Sequence, residues 1–325
     1  ESRGGTVEKS VAIAFHEPAG VSGIEGRVKI RFVDAVLLVL VAAIAVFAFG
    51  LFPAVVPQTA LTDAIFVIVM AITLPLHYGL MHETMHGNLF ASEAWNRRVG
   101  RLLGITTGYP WETMRFGHLA HHGFNRHDYD RPESLRDGQT WGGKALGYYF
   151  QLLIGNVVLY VLAPLPLLLP TSTTPRIVKL MDQSPEMEWF RNAALRTFTN
   201  PEKRRAIRID LLCSVTLFAF AVWMWGAHWP VFALGIAARW CVQSVLDNAP
   251  HYAMPLDSGR DARNTTFPTP FRWMILNQNF HGAHHHAPQT HWLELPAAYA
   301  ASGAPQDGSW FTAQFRQFLG PVRLP

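Results

Sequence analysis

Histidine is concentrated in three short stretches of this 325-residue sequence, which holds 15 histidines in total. The stretches read HETMH, HLAHH and HGAHH, and their histidines are His82, His86, His118, His121, His122, His281, His284 and His285. Residues three or four apart lie on one face of a helix, so each stretch is expected to present its imidazoles as one cluster. His251, just after an apolar segment, is the ninth candidate metal ligand.

Nine imidazoles are more than one metal ion can bind, and they suit two. Neutral imidazoles fit iron, zinc or copper, whereas magnesium prefers oxygen ligands. Zinc cannot change its oxidation state, but two irons can share the multi-electron reduction of O2. The two cysteines are too few for an iron–sulfur centre or a zinc ribbon, so histidine must carry the metal chemistry. The sequence therefore predicts two iron ions as cofactor and O2 as co-substrate.

Other polar residues near the histidines are candidates for support of the metal centre. Histidine ligands normally donate their second ring N–H to a carboxylate or carbonyl. The nearby carboxylates are Glu83, Glu112, Asp128, Asp130, Asp247 and Glu294. Asn248, three residues before His251, is a further candidate. Arg239 and Gln243 precede Asp247 at intervals of four, and they are expected either to bridge each other or to hold a polar group of the substrate.

Some histidines near the three stretches are predicted to lie outside the metal centre. His77 is five residues before His82, which places it about 140° away around a helix, so His82 is expected to pair with His86. His286 is displaced from its own cluster by a similar angle. His127 and His291 are also left over, and structural or supporting roles are expected for them and for His286.

The elements that position these residues must lie largely in lipid. Half of the residues are hydrophobic and only 15% are charged, which is too apolar for an ordinary soluble enzyme. The net charge of +4 does not indicate a nucleic-acid partner, because the basic residues flank apolar segments instead of lining one face. An integral membrane protein that binds the lipid bilayer is the expectation.

The predicted fold class is all-α, with four transmembrane helices at 33–52, 61–81, 210–226 and 230–247. A helical cytoplasmic cap is expected to carry the histidine boxes. The predicted parts are a cytoplasmic N-terminal segment (1–32), a transmembrane unit (33–250) with a cytoplasmic insert (88–144), and a cytoplasmic C-terminal cap (251–325). Both hairpins return the chain to the same side, so the histidine stretches are expected to meet at the cytoplasmic membrane surface.

A further apolar segment, 145–170, is predicted to be a re-entrant or interfacial element. If it crossed the membrane, the lysines and arginines of 171–208 would lie outside, against the positive-inside rule. The third histidine stretch would then also lie on the opposite face from the first two. Its prolines and Asn156 leave backbone groups that must bond to protein neighbours.

The ordered histidine boxes of residues 62–295 resemble those of the integral-membrane fatty acid desaturase and hydroxylase superfamily. HETMHG is similar to the first box of bacterial desaturases and ketolases, and NFHGAHHHAP is similar to their third. The resemblance implies that all nine histidines serve a diiron centre. Family members often place asparagine four residues before the isolated histidine, where this chain has Asp247, with Asn248 at the next position.

The resemblance implies an O2-dependent oxidoreductase of the bacterial inner membrane that desaturates a fatty acyl chain. Decarboxylation of a fatty acid to a terminal alkene, hydroxylation of an alkane or lipid, and carotenoid ketolation remain alternatives at the same site. The sequence has no iron–sulfur, haem-binding or dinucleotide motif, so a separate electron donor, a ferredoxin or a cytochrome with its reductase, is implied.

Two alternatives from other functional classes are also open. HETMH fits the HExxH pattern of zinc intramembrane proteases, in which the glutamate is the general base. A non-enzymatic metal transporter would also use clustered ligands, but it would place them near the bilayer midplane. Metal content and O2 consumption distinguish these alternatives from a diiron oxidase.

Overall fold

A computed structural model describes residues 30–127, 130–256 and 260–324. Within these ranges the chain is helical, with isolated β-bridges and no strand. Asp128, one of the predicted supporting residues, and most of the predicted N-terminal segment lie outside the described residues. The α-helices are α1 (Phe32–Val46), which continues through a π-helical stretch at Phe47–Leu51 into a short helix at Phe52–Val55, then α2 (Ala60–His86), α3 (Glu93–Thr107), α4 (Trp111–Phe124), α5 (Trp141–Val157), α6 (Thr174–Val178), α7 (Glu188–Thr199), α8 (Pro201–Trp225), α9 (Trp229–Asn248), α10 (His281–His286), α11 (Leu295–Ser302) and α12 (Trp310–Arg316).

Among the described residues, four stretches are long and apolar enough to cross a membrane, and they fit an integral membrane protein. They are Phe32–Val55, Ala60–His86, Trp141–Leu168 and Pro201–Asn248. The last has 48 residues and consists of α8 and α9, joined by a 3-10 turn at Gly226–His228 that begins with a positive φ of 53° at Gly226. Phe218 and Phe232 lie on opposite sides of this turn with ring centroids 6.2 Å apart, so the two helices form an antiparallel hairpin.

The predicted re-entrant segment 145–170 is an irregular helix. It begins as α5, continues through a π-helical stretch at Val158–Leu162 and ends in a 3-10 turn at Leu165–Leu168. Its length and composition suit a membrane span as well as a re-entrant element. That it does not cross the membrane therefore stays a prediction.

Helix α2 carries the first histidine pair on its last turns. Thr59 and Thr62 cap its start reciprocally, and the helix ends at Gly87, whose φ of 77° suits glycine. Helix α9 packs parallel to α2, and their close approach requires Gly235: a Cβ there would lie 2.7 Å from Phe66 Cε1. Because the two helices run in the same direction, their C-terminal ends bring His82 and His86 to the same end as His251.

A second close contact joins α3 to the region of the first histidine pair. Gly100 lies against the hydrogen bond that Trp111 Nε1 donates to Thr84 Oγ1 (3.0 Å). A Cβ at Gly100 would lie 2.2 Å from Trp111 Nε1 and 2.5 Å from Thr84 Oγ1. Gly100 therefore allows α3 to approach α2 and the start of α4.

Replacing Gly100 by alanine is expected to destabilise the fold by about 1–3 kcal/mol, because the methyl group must displace Trp111 or Thr84. Gly142→Ala is the matched control, since no atom lies within 4 Å of the added Cβ at that helical position. Thermal unfolding of both variants in detergent micelles measures the difference. Equal midpoints for the two variants would contradict the packing argument.

The chain after the third histidine stretch is fastened to α1 and α2 by buried polar contacts. Asp34, fully buried in α1, accepts hydrogen bonds from His291 Nε2 (2.9 Å) and Trp292 Nε1 (2.8 Å). The backbone N–H of Trp292 donates to Glu83 Oε2 (3.1 Å) in the first stretch. These contacts hold residues 291–292 beside the first histidine pair, a few residues after α10.

Candidate metal centre

The nine predicted histidines converge in two groups of side chains, each with its candidate ligand atoms within 4.8 Å of one another. The first group consists of His82, His86, His118, His122 and His284. The second group consists of His121, His251, His281 and His285. Helices α4 and α10 each contribute histidines to both groups, so the three stretches are interleaved at one place in the fold.

The ring nitrogens of the second group face one another. His251 Nε2 lies 3.1 Å from both His121 Nε2 and His281 Nε2, and His281 Nε2 lies 3.2 Å from His285 Nε2. Two nitrogens bound to one ion at about 2.1 Å lie roughly 3.0–3.4 Å apart for bond angles of about 90–109°. The spacing of these nitrogens is therefore that of ligands around a single ion.

The outer nitrogens of the same rings identify which nitrogen carries the proton. His121 Nδ1 lies 2.7 Å from Asp130 Oδ2, and His251 Nδ1 lies 2.7 Å from the backbone carbonyl of Asp261. His281 Nδ1 lies 3.0 Å from Gln278 Oε1. Each acceptor requires a proton on Nδ1, which leaves an unshared electron pair on Nε2. Converging lone pairs repel one another unless a cation lies between them, and this donor set fits a metal ion.

The first group has the same character. His86 Nε2 lies 2.8 Å from His118 Nε2, and His284 Nε2 lies 3.0 Å from His122 Nε2. His82 Nε2 is buried and has no hydrogen-bond partner among the described residues. A buried polar atom without a partner is costly, and a metal ion in this group would satisfy it.

The two groups lie side by side and are not separate sites. The rings of His122, in the first group, and His285, in the second, stack with centroids 4.1 Å apart. Through this stacking the two groups share a wall of imidazoles. This arrangement is consistent with a metal cofactor that contains two ions.

Burial keeps these histidines in the form that binds metal. Burial, with repulsion from neighbouring imidazoles, lowers the pKa of His118, His122 and His284 well below the usual value of 6.5. The same causes lower the pKa of His251, His281 and His285. Because a lowered pKa means a neutral imidazole at pH 7, the side chains are ready to bind metal ions without first losing a proton.

The pKa of His121 shifts in the opposite direction from the pKa values of the other six histidines of the two groups that lie outside the candidate membrane spans. Burial alone would lower its pKa, but the charge and hydrogen bond of Asp130 act in the opposite direction and raise it. Asp130 is thus the main electrostatic partner of His121, and its hydrogen bond fixes the orientation of that ring.

Replacing Asp130 by alanine is expected to lower the metal affinity of the second group about 10- to 100-fold, because the His121 ring loses the carboxylate that orients it. Asp137→Ala is the matched control, since Asp137 is an exposed aspartate on the same connection. Metal retained after dialysis against a graded chelator series measures the change. Equal retention in both variants would show that Asp130 does not support the centre.

The four other histidines near the three stretches lie outside both groups. His77 Nε2 lies 3.0 Å from the carbonyl of Leu103, and Arg239 donates to His77 Nδ1 (2.9 Å), so both ring nitrogens are occupied. His291 bonds to Asp34. His127 and His286 are exposed.

The predicted supporting carboxylates have different partners. Glu83 is the predicted carboxylate that lies beside the first group, with its Oε1 3.8 Å from His82 Nδ1. Glu112 pairs with Arg97 (2.7 Å), and Glu294 pairs with Arg31 at the surface (2.5 Å), so neither bonds to a box histidine.

The polar residues of α9 form their own network. Asp247 accepts hydrogen bonds from Gln243 Nε2 (2.7 Å) and Asn156 Nδ2 (2.8 Å). Asn248 donates to Gln317 Oε1 (2.9 Å). A direct bridge between Arg239 and Gln243 is wrong as a prediction: Arg239 donates to His77 and to the carbonyl of Met70, whereas Gln243 donates to Asp247.

Three supporting groups are not predicted from the sequence: the Asp261 carbonyl, Gln278 and Asn125. The amide nitrogen of Asn125 lies 2.9 Å from His251 Nδ1 and 3.4 Å from His285 Nδ1. Turning this amide over would offer both rings its oxygen, which is buried without a hydrogen-bond partner among the described residues. Gln278 lies three residues before its partner His281, a spacing that could have indicated it, whereas Asn125 contacts histidines that are distant in the sequence.

A cavity of about 750 Å³ adjoins both groups. Part of its wall is formed by His82, His118, His121, His251 and His281. Apolar residues of the α5 segment, including Leu152 and Leu159, form the opposite wall. Asp247 and Asn248 also line the cavity, whereas Arg239 and Gln243 do not appear among its lining residues. An apolar space of this size with a few convergent polar groups is typical of a site for a small ligand.

Comparison with known proteins agrees with this arrangement. A search of curated proteins finds no match for the chain. The family model for fatty acid desaturases matches residues 59–313, a range that contains all nine histidines and the residues that line the cavity. The chain therefore belongs to the fatty acid desaturase family.

Proposed function

We propose that this protein is a membrane-bound, non-haem diiron oxidase that uses O2 and electrons from a separate donor to desaturate a fatty acyl chain. The observation that carries the proposal is the convergence of nine histidines into two adjacent groups beside an apolar cavity. When bound in these groups, iron would supply, with O2, the redox chemistry that cleavage of an unactivated C–H bond needs. The nine histidines are the proposed ligands.

The chain's own residues bind and orient the substrate. The apolar wall around Leu152 and Leu159 excludes water and accepts an acyl chain, while the wall formed by His82, His121 and His281 brings one part of that chain next to the metal centre. Asp247 and Asn156 add a polar position on the cavity surface. The outcome at a given carbon depends on its distance from the centre, which the cavity shape sets.

The environment of Glu83 supports an oxidase over an HExxH protease. Glu83 is fully buried, accepts the backbone N–H of Trp292 and is not among the cavity-lining residues, so it is poorly placed as a general base. The positions of the histidines at and beyond the ends of α2 and α9 also support an oxidase over a transporter, whose ligands would lie at mid-membrane.

The proposed topology places the histidines at the cytoplasmic side of a bacterial inner membrane, with 145–170 as a re-entrant element. Two sets of hydrogen bonds support a re-entrant segment, because they hold its two ends near the start of α8 and the end of α9, which lie at the same end of the α8–α9 hairpin. Arg204 and Arg208, on the first turns of α8, donate hydrogen bonds to backbone carbonyls of Leu167 and Leu169, at the C-terminal end of the segment. Near the other end of the segment, the Tyr148 hydroxyl donates to the carbonyl of Gln317. The side chain of Gln317 in turn accepts a hydrogen bond from Asn248 at the end of α9.

Product analysis tests the proposed reaction. The purified protein, loaded with iron, receives a long-chain fatty acid, O2 and a ferredoxin with its reductase, and the products are separated by mass spectrometry. The expected product retains every carbon and lacks two hydrogens. A product with an added oxygen would indicate hydroxylation or ketolation, and one that has lost CO2 would indicate a decarboxylase. Absence of any O2-dependent product would overturn the oxidase proposal.

A further inference from the structure

Helix α12 and the turn that follows it expose a continuous apolar stripe outside the four candidate spans. Phe311, Phe315, Phe318 and Leu319 are all exposed, and Phe315 has 72% of its surface accessible. Their spacing of four, seven and eight residues places them on one face of a helix. An exposed apolar surface of this kind in a folded protein marks an interaction site.

The opposite face of this segment is polar and points into the protein. Gln314 and Gln317 are buried, and Gln317 Nε2 donates to the carbonyl of Val245 (2.9 Å). Its Oε1 accepts from Asn248 Nδ2 (2.9 Å). A helix facing water normally buries its apolar face and exposes its polar face. The reversed arrangement here fits a segment whose outer surroundings are apolar.

The stripe is continuous with the outward surface of the α5 segment. Tyr149 of α5 donates to the carbonyl of Phe318 (3.0 Å), and Gly320 packs against Trp141, which is itself half exposed. On the same helix Leu146 is exposed at 83%, so the α5 surface next to the stripe is also apolar. This surface belongs to the candidate membrane span Trp141–Leu168.

A second segment extends the apolar surface. Phe271 and Trp273 are exposed on the 3-10 helix Thr269–Ile275. Phe267, just before that helix, stacks on Phe311 with ring centroids 5.6 Å apart. The two segments therefore form one aromatic rim, defined by Phe271, Trp273, Phe311, Phe315, Phe318 and Leu319.

We propose that this aromatic rim is inserted into the acyl region of the bilayer, so that the edge of the predicted cytoplasmic cap enters the lipid. Aromatic side chains concentrate at membrane interfaces, where apolar area is buried and polar ends reach the headgroups. Exposed Arg316 lies on α12 between two rim phenylalanines, and a long cationic side chain at this position can extend to lipid phosphates. The proposal is independent of the metal chemistry.

Collision accessibility of a spin label in nanodiscs tests the rim. A nitroxide is attached to Phe315→Cys in a background with Cys213→Ser and Cys241→Ala, and its relaxation is measured with O2, which concentrates in lipid, and with a water-soluble nickel chelate. Two references come from the same chain. The lipid reference is native Cys213, exposed on α8 within a candidate span and labelled in a variant that carries only Cys241→Ala. The water reference is exposed Gln306→Cys in the same background as Phe315→Cys.

The expected result is that O2 relaxes the label at position 315 more than the nickel chelate does, as at Cys213 and opposite to position 306. A label at Phe318→Cys should give the same sign, which guards against misfolding of one variant. Greater relaxation by nickel would place the rim in water and overturn the proposal. Low access to both reagents together with dipolar broadening between labels would assign the rim to a second copy of the chain, which also overturns it.

Discussion

Replacing His285 by alanine is expected to abolish turnover and to lower the bound iron. His285 Nε2 is 3.2 Å from His281 Nε2, and its ring stacks on His122 of the first group. Removing this imidazole leaves the second group with three histidines and removes part of the wall that the two groups share. Iron content by plasma mass spectrometry and O2-dependent product formation measure the loss.

The neighbouring residue supplies a matched control for this prediction. His286 has the same chemistry and lies one position further along α10, but it is exposed and belongs to neither group. We expect His286→Ala to retain both iron and activity. Normal iron and turnover in the His285 variant, or equal losses in both variants, would refute the assignment of His285 as a ligand.

Replacing Asp34 by alanine is expected to have the largest effect on stability. The change leaves His291 Nε2 and Trp292 Nε1 buried without their acceptor, and each unsatisfied donor costs about 1–3 kcal/mol. Because Trp292 also bonds to Glu83, and Glu83 is next to His82, the first histidine group should be disturbed as well. Thermal unfolding in micelles and iron content measure the two consequences.

Glu294→Ala tests the same pair of chain segments at the surface. Glu294 and Arg31 join the start of α1 to the region after α10, as Asp34 and His291 do, but both side chains of the surface pair are about half exposed. Exposed ion pairs contribute about 0–1 kcal/mol, so this variant should unfold close to the wild type. If the Asp34 variant is no less stable than the Glu294 variant, the buried contacts do not hold the two segments together.

The clustering of the histidines could be predicted because its signal is local. Spacing of three and four residues defines one face of a helix, and the same geometry correctly leaves His286 outside the clusters. The structure brings together all eight histidines of the three stretches and His251, the ninth candidate, which follows the last apolar segment. The interleaving of the groups, with His121 and His122 in different ones, could not be predicted, since it depends on how α4 and α10 pack.

The supporting residues were harder to predict because their signal is tertiary. The carbonyl of Asp261 orients His251 through its backbone, which leaves no trace in residue type. His291 looks surplus in the sequence, and only the packing of α1 reveals its bond to Asp34. An arginine within a span requires a partner, but the sequence does not identify that partner as His77.

The predicted cap illustrates a limit of hydrophobic patterns. A periodic apolar face usually marks the side of a helix that packs on the protein. In α12 the pattern is present, but Gln314 and Gln317 are the buried residues and Phe315 is exposed. Periodicity shows which residues share the apolar face of α12. Whether that face points inward or outward depends on the hydrogen bonds of Gln317 to Val245 and Asn248, which only the fold supplies.

The presence of α10 histidines in both groups has a consequence for biosynthesis. His284 belongs to the first group, and His281 and His285 belong to the second, so neither group is complete until the ribosome has made the chain as far as α10. A nascent chain therefore offers only partial coordination, with weaker retention of metal. In the proposed diiron centre, loading with both ions would therefore follow the synthesis of α10, and a chain truncated before α10 would lack one histidine of the first group and two of the second.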